Sequence, residues 1–490
     1  MMQILSVQQK QKPQMSKTNS PIRLIDYQEL SIDNPGDIKN LEEIANTELK
    51  ELCERSNSRL IVFPRNIGEH GDDIGKKEII SLRKSGGKAF IKPTDLLGFI
   101  GVNDTFLSIG TRFTGNGEGQ EDYLLHYMLQ KVLKINIFSL MHPTGEDGVL
   151  NIMAYMFPGF LAKALRQGLL KRYTKFSRND ANVKGPIDIS RHIRHNIPFN
   201  GRIAYTQREH SSDNVVTQLI RHTIEFIRGT AAKHVLTDEV QTKTDVATIL
   251  AATPTYDKNK RQATIKANQK RNPHPYYTSY EPLIQLCIAI LEHQHIRYAA
   301  ERKVIYGILF SGSWLWEEYL NNAIFSHLGF IHPDNRSKTH AIHLFYGTID
   351  MSNNDEEFQE KNSGPRYPDY RLPKNGAEDQ ESILVADAKY RHHSYCGDRE
   401  NLHQLITYMH ITKAQKGVLV YPIGTETPEK EKEDLEKEMK TPKSIKGFGG
   451  EYYRFGFVIP EVEENDKYKD FSKAMAEEEE RLRKELGCII

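Results

Sequence analysis

The spacing of apolar and polar positions changes character along this chain, and the changes divide it into regions. From 22 to 115 the apolar residues come in short bursts: Arg59 to Pro64, Ile79 to Arg83, Ala89 to Lys92, Leu97 to Val102 and Thr105 to Ile109. Gly-Gly, Pro and Asn-Asp breaks separate them, so they read as strands joined by tight turns. One helix is predicted among them, Ile38 to Cys53, because Leu41, Ile44, Ala45, Leu49 and Leu52 recur at helical spacing.

From 116 to 300 the period lengthens. Tyr123 to Leu133 is amphipathic, and Ile152 to Tyr173 carries Leu161, Leu165 and Leu169 along one long helix. Strand-like segments follow at Gly185 to Ile189 and Arg202 to Gln207. Val215 to Arg228 is helical again, with a stripe of Leu219, Ile220, Thr223, Ile224 and Ile227, and Pro282 to His293 predicts a further apolar helix.

From 301 to 490 strands and helices alternate. Trp314 to Leu328 and Arg399 to His410 read as helices, and Tyr367 to Leu372, Ser382 to Tyr390, Gly417 to Tyr421 and Tyr452 to Ile459 as strands. Glu429 to Lys443 is a charged, solvated helix or loop, and the tail around Glu477 to Glu480 a polar helix. Residues 1–21, rich in Gln, Lys, Ser and Pro, read as a disordered lead-in. The expected fold class is mixed α/β and multidomain: a β-rich N-terminal region (22–115), a mainly helical middle (116–300) and an α/β C-terminal domain (301–490).

Composition narrows the function without naming it. The chain has 490 residues, 38% of them hydrophobic and 27% charged, which suits a soluble protein with an ample core. Its formal net charge of +1 leaves any nucleic-acid surface to local clustering. Such clusters exist. Between 151 and 208 eleven Lys or Arg face only Asp180 and Asp188, and Lys258, Lys260, Arg261, Lys266, Lys270 and Arg271 form a second run near Tyr256, Tyr276 and Tyr277. Either run can follow phosphates, and either can equally be a solvated helix face or a flexible basic loop. Cys53, Cys287, Cys396 and Cys488 stand far apart with no paired spacing, so neither a zinc site nor a disulfide framework is indicated, which fits a reducing cytoplasm. No secretory signal and no apolar run long enough for a membrane span are present.

The chemistry concentrates near the C-terminal end. Pro368-Asp369 precedes a Lys374-Asn375-Gly376 turn signal, and the apolar run Ile383 to Ala386 ends in Asp387-Ala388-Lys389. That run marks a buried strand. Residues i and i+2 of a strand face the same way, so Asp387 and Lys389 project together, and Asp369 joins them if the two segments pair as a hairpin. Two carboxylates suit Mg²⁺, and a lysine beside them can position or help deprotonate water, or offset charge on a phosphate. The same residues would also serve as an ion pair at a strand end. Upstream, Glu317 on a helix can complete a metal site, whereas Glu318 reads as solvent-facing. Downstream, Gln404 and Tyr408 share a helical face, where Gln404 can orient water or remain a surface amide.

These stretches, Tyr367 to Pro373, Ile383 to Tyr390 and His403 to Tyr408, resemble the PD-(D/E)xK nucleases of the McrC family. Gly168 to Tyr173, Lys184 to Ile189, Leu315 to Glu317 and Asn272 to Tyr280 are similar to further elements of that family, with Pro186 in place of a more usual Arg and a polar insertion from Lys374 to Ser382. The resemblance implies a restriction-endonuclease-like C-terminal domain. It also implies a Mg²⁺-dependent DNA endonuclease subunit of a modification-dependent restriction system. Mg²⁺ would be bound by Asp369, Asp387, the carbonyl of Ala388 and Glu317, with Lys389 and Gln404 near the attacking water. The implied partners are DNA and a McrB-like AAA+ GTPase ring, a hexamer docked on the N-terminal region. The glycine-rich Gly110 to Gly119 lacks the Lys-Ser/Thr ending of a phosphate loop and reads as a flexible loop, in agreement with a separate motor. Two other readings stay open: a stand-alone repair or recombination nuclease, and a non-catalytic activator of a ring NTPase.

Overall fold

A computed structural model describes residues 22–55, 58–64, 74–86, 88–103, 105–114, 122–133, 146–269, 276–298, 305–333, 341–345, 348–350, 357–359, 363–376, 380–392, 399–439, 441–447, 449–461 and 468–490. The lead-in expected over 1–21 lies outside the described residues. The architecture is mixed α/β with several sheets.

The N-terminal strands build two sheets. The larger has the order Ile22–Ile25, Thr105–Gly110, Leu96–Val102, Ile305–Ser311, Ser58–Phe63. Ile305–Ser311 runs antiparallel to Leu96–Val102 and parallel to Ser58–Phe63, and every one of its residues is buried. It stands beyond 300 in the chain yet pairs with N-terminal strands, because a strand apolar on both faces needs a central position. Gly98 makes the pairing possible. Its φ is +129°, and a Cβ there would collide with the carbonyl of Ile308. The smaller sheet orders Leu30–Ile32, Lys88–Pro93, Ile80–Ser85.

The single helix predicted over 38–53 is two, Pro35–Leu41 and Leu49–Glu54. Asn46 breaks it at φ +52°, and its side chain exchanges two 3.1 Å hydrogen bonds with the main chain of Leu82. A left-handed residue tied to a strand cannot continue a helix.

In the middle region Tyr123–Leu133, Glu146–Arg166, Val215–Arg228 and Tyr280–Tyr298 are helices. Their apolar faces join one core that runs into both the N-terminal and C-terminal sheets. The helix expected to reach Tyr173 stops at Arg166, with Gly168 at φ +90°. The chain then forms an antiparallel hairpin, Arg172–Asp180 with Ile203–Ser211. Of the strand expected over 185–189 only a bridge from Ile187 to Tyr205 forms. Asp188 caps a short helix, Ile189–His195, and accepts from the Arg191 N–H at 3.1 Å. Tyr173, Ile187, Ile189, Ile193, Ile197 and Phe199 of this arm are exposed. The second basic run, over its described residues, is a turn at Lys258–Lys260 and a helix, Arg261–Gln269, with Thr264 and Ile265 buried.

The C-terminal sheet has the order Tyr370–Pro373, Ser382–Ala388, Lys416–Ile423, Glu451–Val458, Lys443–Ser444. The first two strands pair antiparallel, and the next two pairings are parallel, with helices Arg399–Thr412 and Glu429–Met439 as crossovers. The last helix, Tyr468–Ile489, packs on the outer parallel strand and on the helix Tyr123–Leu133. No described helix is long and apolar enough to cross a membrane.

Candidate functional site

Leu384, Val385 and Ala386 are fully buried, as a strand covered on both faces must be. Ile383 departs from the expected run. It is exposed, because it lies at the turn end of the hairpin, where the register slips between Leu372 and Pro373. Tyr370 faces Ala386 across the hairpin, so the next position outward sets Asp369 beside Asp387. The Ala388 N–H donates to Oδ2 of Asp369 at 2.6 Å, clasping the two strands where they carry their acids.

Asp387 is 1% exposed, and its Oδ2 lies 2.5 Å from Nζ of Lys389. Nζ also donates to Oε1 of Gln404 at 3.1 Å, and Nε2 of Gln404 donates to the Tyr408 hydroxyl at 2.9 Å. That hydroxyl reaches the Tyr367 carbonyl at 3.5 Å. Gln404 and Tyr408 therefore share a helical face, as their spacing requires, and that face is turned toward Lys389.

Burial drives the Asp369 carboxyl well above the usual carboxylate range. The neighbouring charges of Asp387 and Glu317 push it further, against the opposing pull of Lys389 and the Ala388 N–H. Burial pulls the Lys389 ammonium down, but Asp387 and Asp369 more than offset it and leave it raised.

Glu317 reaches the site from the helix Gly312–Ala323. Its carbonyl accepts from the Tyr370 hydroxyl at 2.5 Å, and the Tyr370 ring stacks on Phe325 with centroids 3.8 Å apart. Its carboxylate lies 3.5 Å from Nε2 of His332, and Glu318 lies 3.8 Å from the same atom. Glu318 is thus half-buried beside a histidine rather than turned to solvent. Nδ1 of His332 donates to the Asp369 carbonyl at 2.6 Å. Burial lowers the His332 pKa, but Glu318, Glu317 and that carbonyl raise it to about 9. The sequence carries no signal for His332, because a bridge between Ile331 and Arg371, far apart in the chain, delivers it.

The structure brings Asp387, Lys389 and Gln404 into direct contact, sets Asp369 beside them through the Ala388 N–H, and joins Glu317 to them through Tyr370 and His332. Among the described residues no three His, Cys, Asp or Glu side chains form a ready metal cage. The donor chemistry nevertheless fits a hard cation, since two carboxylates from facing strands stand close enough to repel each other.

A family model described as McrBC 5-methylcytosine restriction system component matches residues 91–422, more than half of the chain and all of this site. The chain belongs to that family. Among solved structures, the McrBC family assembly "Refined half-complex from tetradecameric assembly of Thermococcus gammatolerans McrB AAA+ hexamers with bound McrC" contains a similar chain. That chain is 14% identical with a TM-score of 0.48, over 94% of this chain and 100% of that one. A chain of the Thermococcus gammatolerans McrBC complex is 16% identical with a TM-score of 0.31, over 62% and 86%. No curated protein matches the chain.

Proposed function

We propose that this protein is the Mg²⁺-dependent DNA endonuclease subunit of a McrBC-like restriction system. It would cut phosphodiester bonds through a PD-(D/E)xK-type C-terminal domain and stimulate a partner AAA+ GTPase ring. The observation that carries this reading is the convergence of Asp369, Asp387 and Lys389 on one hairpin inside the family match. Membership in a restriction-system family supports DNA as the substrate and a separate partner component.

Asp369, Asp387 and the carbonyl of Ala388 would hold the ion, with Glu317 joining directly or through a water. When bound, Mg²⁺ supplies positive charge to the phosphate oxygens and acidifies a water. The chain's own groups do the rest. Lys389, held between Asp387 and Gln404, keeps one donor for the attacking water or a non-bridging phosphate oxygen. Gln404 fixes that amine and is itself fixed by Tyr408. His332 keeps Glu317 beside the hairpin and braces the Asp369 main chain. The phosphodiester is broken by in-line displacement.

Basic side chains on the arm, Lys175, Arg178 and Arg208 among them, are suited to a phosphate backbone, and its exposed apolar residues to a protein surface. Cleavage of long DNA by the purified chain with its AAA+ partner, GTP and Mg²⁺ tests the reading. Cutting that needs all three supports it. Full cutting without the partner favours a stand-alone nuclease, and stimulated hydrolysis without any cutting favours an activator.

A further inference from the structure

The stretch Gly110 to Gly119 reads in the sequence as a flexible glycine-rich loop, yet residues 110–114 are packed between the N-terminal and C-terminal sheets. The Asp122 carboxylate accepts from the Thr111 N–H, from the Thr111 hydroxyl at 3.0 Å and from the Leu125 N–H at 2.9 Å. Phe113 meets Tyr390 edge-on at 5.0 Å, and its carbonyl accepts from the Thr425 N–H at 3.2 Å.

Arg112 turns inward at this junction. Its Nη2 donates to the carbonyl of Tyr390 at 2.8 Å. Its guanidinium carbon lies 4.6 Å from the Tyr27 ring centroid and 5.3 Å from that of Tyr390. Its Nε lies 3.5 Å from Oδ2 of Asp26, a fully buried carboxyl just beyond the strand Ile22–Ile25. One planar, multi-donor cation can stack on rings and face a carbonyl and a carboxylate together, which an ammonium cannot.

Tyr390 directly follows Lys389, whose own N–H donates to the Val420 carbonyl at 2.8 Å. The main chain around Lys389 is therefore gripped from the C-terminal sheet on one side and by Arg112 on the other. The Tyr390 ring has no room to shift toward the helix Gly312–Ala323, since even a Cβ on Gly312 would collide with it.

We infer that Arg112 is a positioning residue for the cleavage reaction: by binding the Tyr390 carbonyl it fixes the main chain that carries Lys389, and so keeps the amine between Asp387 and Gln404. The consequence for cleavage rests on the nuclease reading, whereas the effect on Lys389 does not. A shift of about 1 Å in a reacting group can cost about 10²-fold in rate.

Arg112→Met, which keeps an apolar chain under the rings, should lower cleavage by about 10- to 100-fold. DNA affinity should stay near wild type, whereas the unfolding temperature should fall because Asp26 and the Tyr390 carbonyl lose their partner; labelling is therefore read well below unfolding and relative to Lys131, whose partner Glu479 is untouched. In the same protein, labelling of Lys389 by an amine-reactive reagent, read by mass spectrometry, should rise at least about twofold, the equivalent of a modest loss of restraint. Arg112→Lys should recover part of both effects, and it carries the comparison if Arg112→Met does not fold. Unchanged Lys389 labelling in either folded variant overturns the inference, whatever happens to cleavage. Raised labelling in a protein whose wild type never cuts DNA upholds the Arg112 contact and overturns the nuclease reading instead.

Discussion

Nζ of Lys389 donates to Oε1 of Gln404 at 3.1 Å, a bond that turns a helix amide toward the hairpin. Loss of the amide leaves Lys389 its ion pair with Asp387 but frees the other side of the amine. Gln404→Ala should therefore lower the cleavage rate by about 10-fold, the worth of one ordinary hydrogen bond to a charged group. Single-turnover cleavage with saturating partner measures it. A wild-type rate would return Gln404 to a plain surface residue.

Asp26 sets a pH dependence that can be read without any activity. Burial, opposed by Arg112, pushes its carboxyl up to about 7. A carboxyl held above its unfolded value gives the folded state stability that is complete below about pH 4 and is lost as pH rises through about 7. The loss is at most about 4 kcal/mol. Asp26→Asn removes the titration, so its urea midpoint should fall less than that of the wild type between pH 5 and pH 8. Parallel curves for the two proteins would contradict the assignment.

Glu479 ties the last helix to the rest of the molecule. It is buried, and it accepts from the hydroxyls of Tyr127 at 2.9 Å and Tyr319 at 3.0 Å and from Lys131 at 3.0 Å. Glu479→Ala strands these donors and should cost about 3 kcal/mol. Guanidinium unfolding followed by tyrosine fluorescence checks this, and a change below about 0.5 kcal/mol would show that the network contributes little.

What the sequence made legible is what local spacing controls. Asp387 and Lys389 project together because strand side chains alternate, and Gln404 and Tyr408 share a face because helices repeat near four residues. The Lys374-Asn375-Gly376 turn brought Asp369 into register, with Gly376 at φ +111°. What depends on distant partners was hidden. Ile305–Ser311 gives no sign of pairing with strands about two hundred residues earlier. His332 is delivered by one remote bridge, and Arg112 stands in a stretch whose glycines mask its packing. The arm strand Arg172–Asp180 was missed because its faces are mostly polar and it covers no core, so its alternation is weak.

If the Asp369–Asp387 hairpin cuts DNA, Asp387→Ala must lose cleavage while leaving stimulation of the partner intact. Wild type and Asp387→Ala should be compared on long DNA with the AAA+ partner, GTP and Mg²⁺, with nucleotide hydrolysis and strand cleavage followed in the same reaction. The expected result is hydrolysis stimulated equally by both proteins and cleavage lost from the variant by at least about 10³-fold. Cleavage by Asp387→Ala at the wild-type rate would contradict the account.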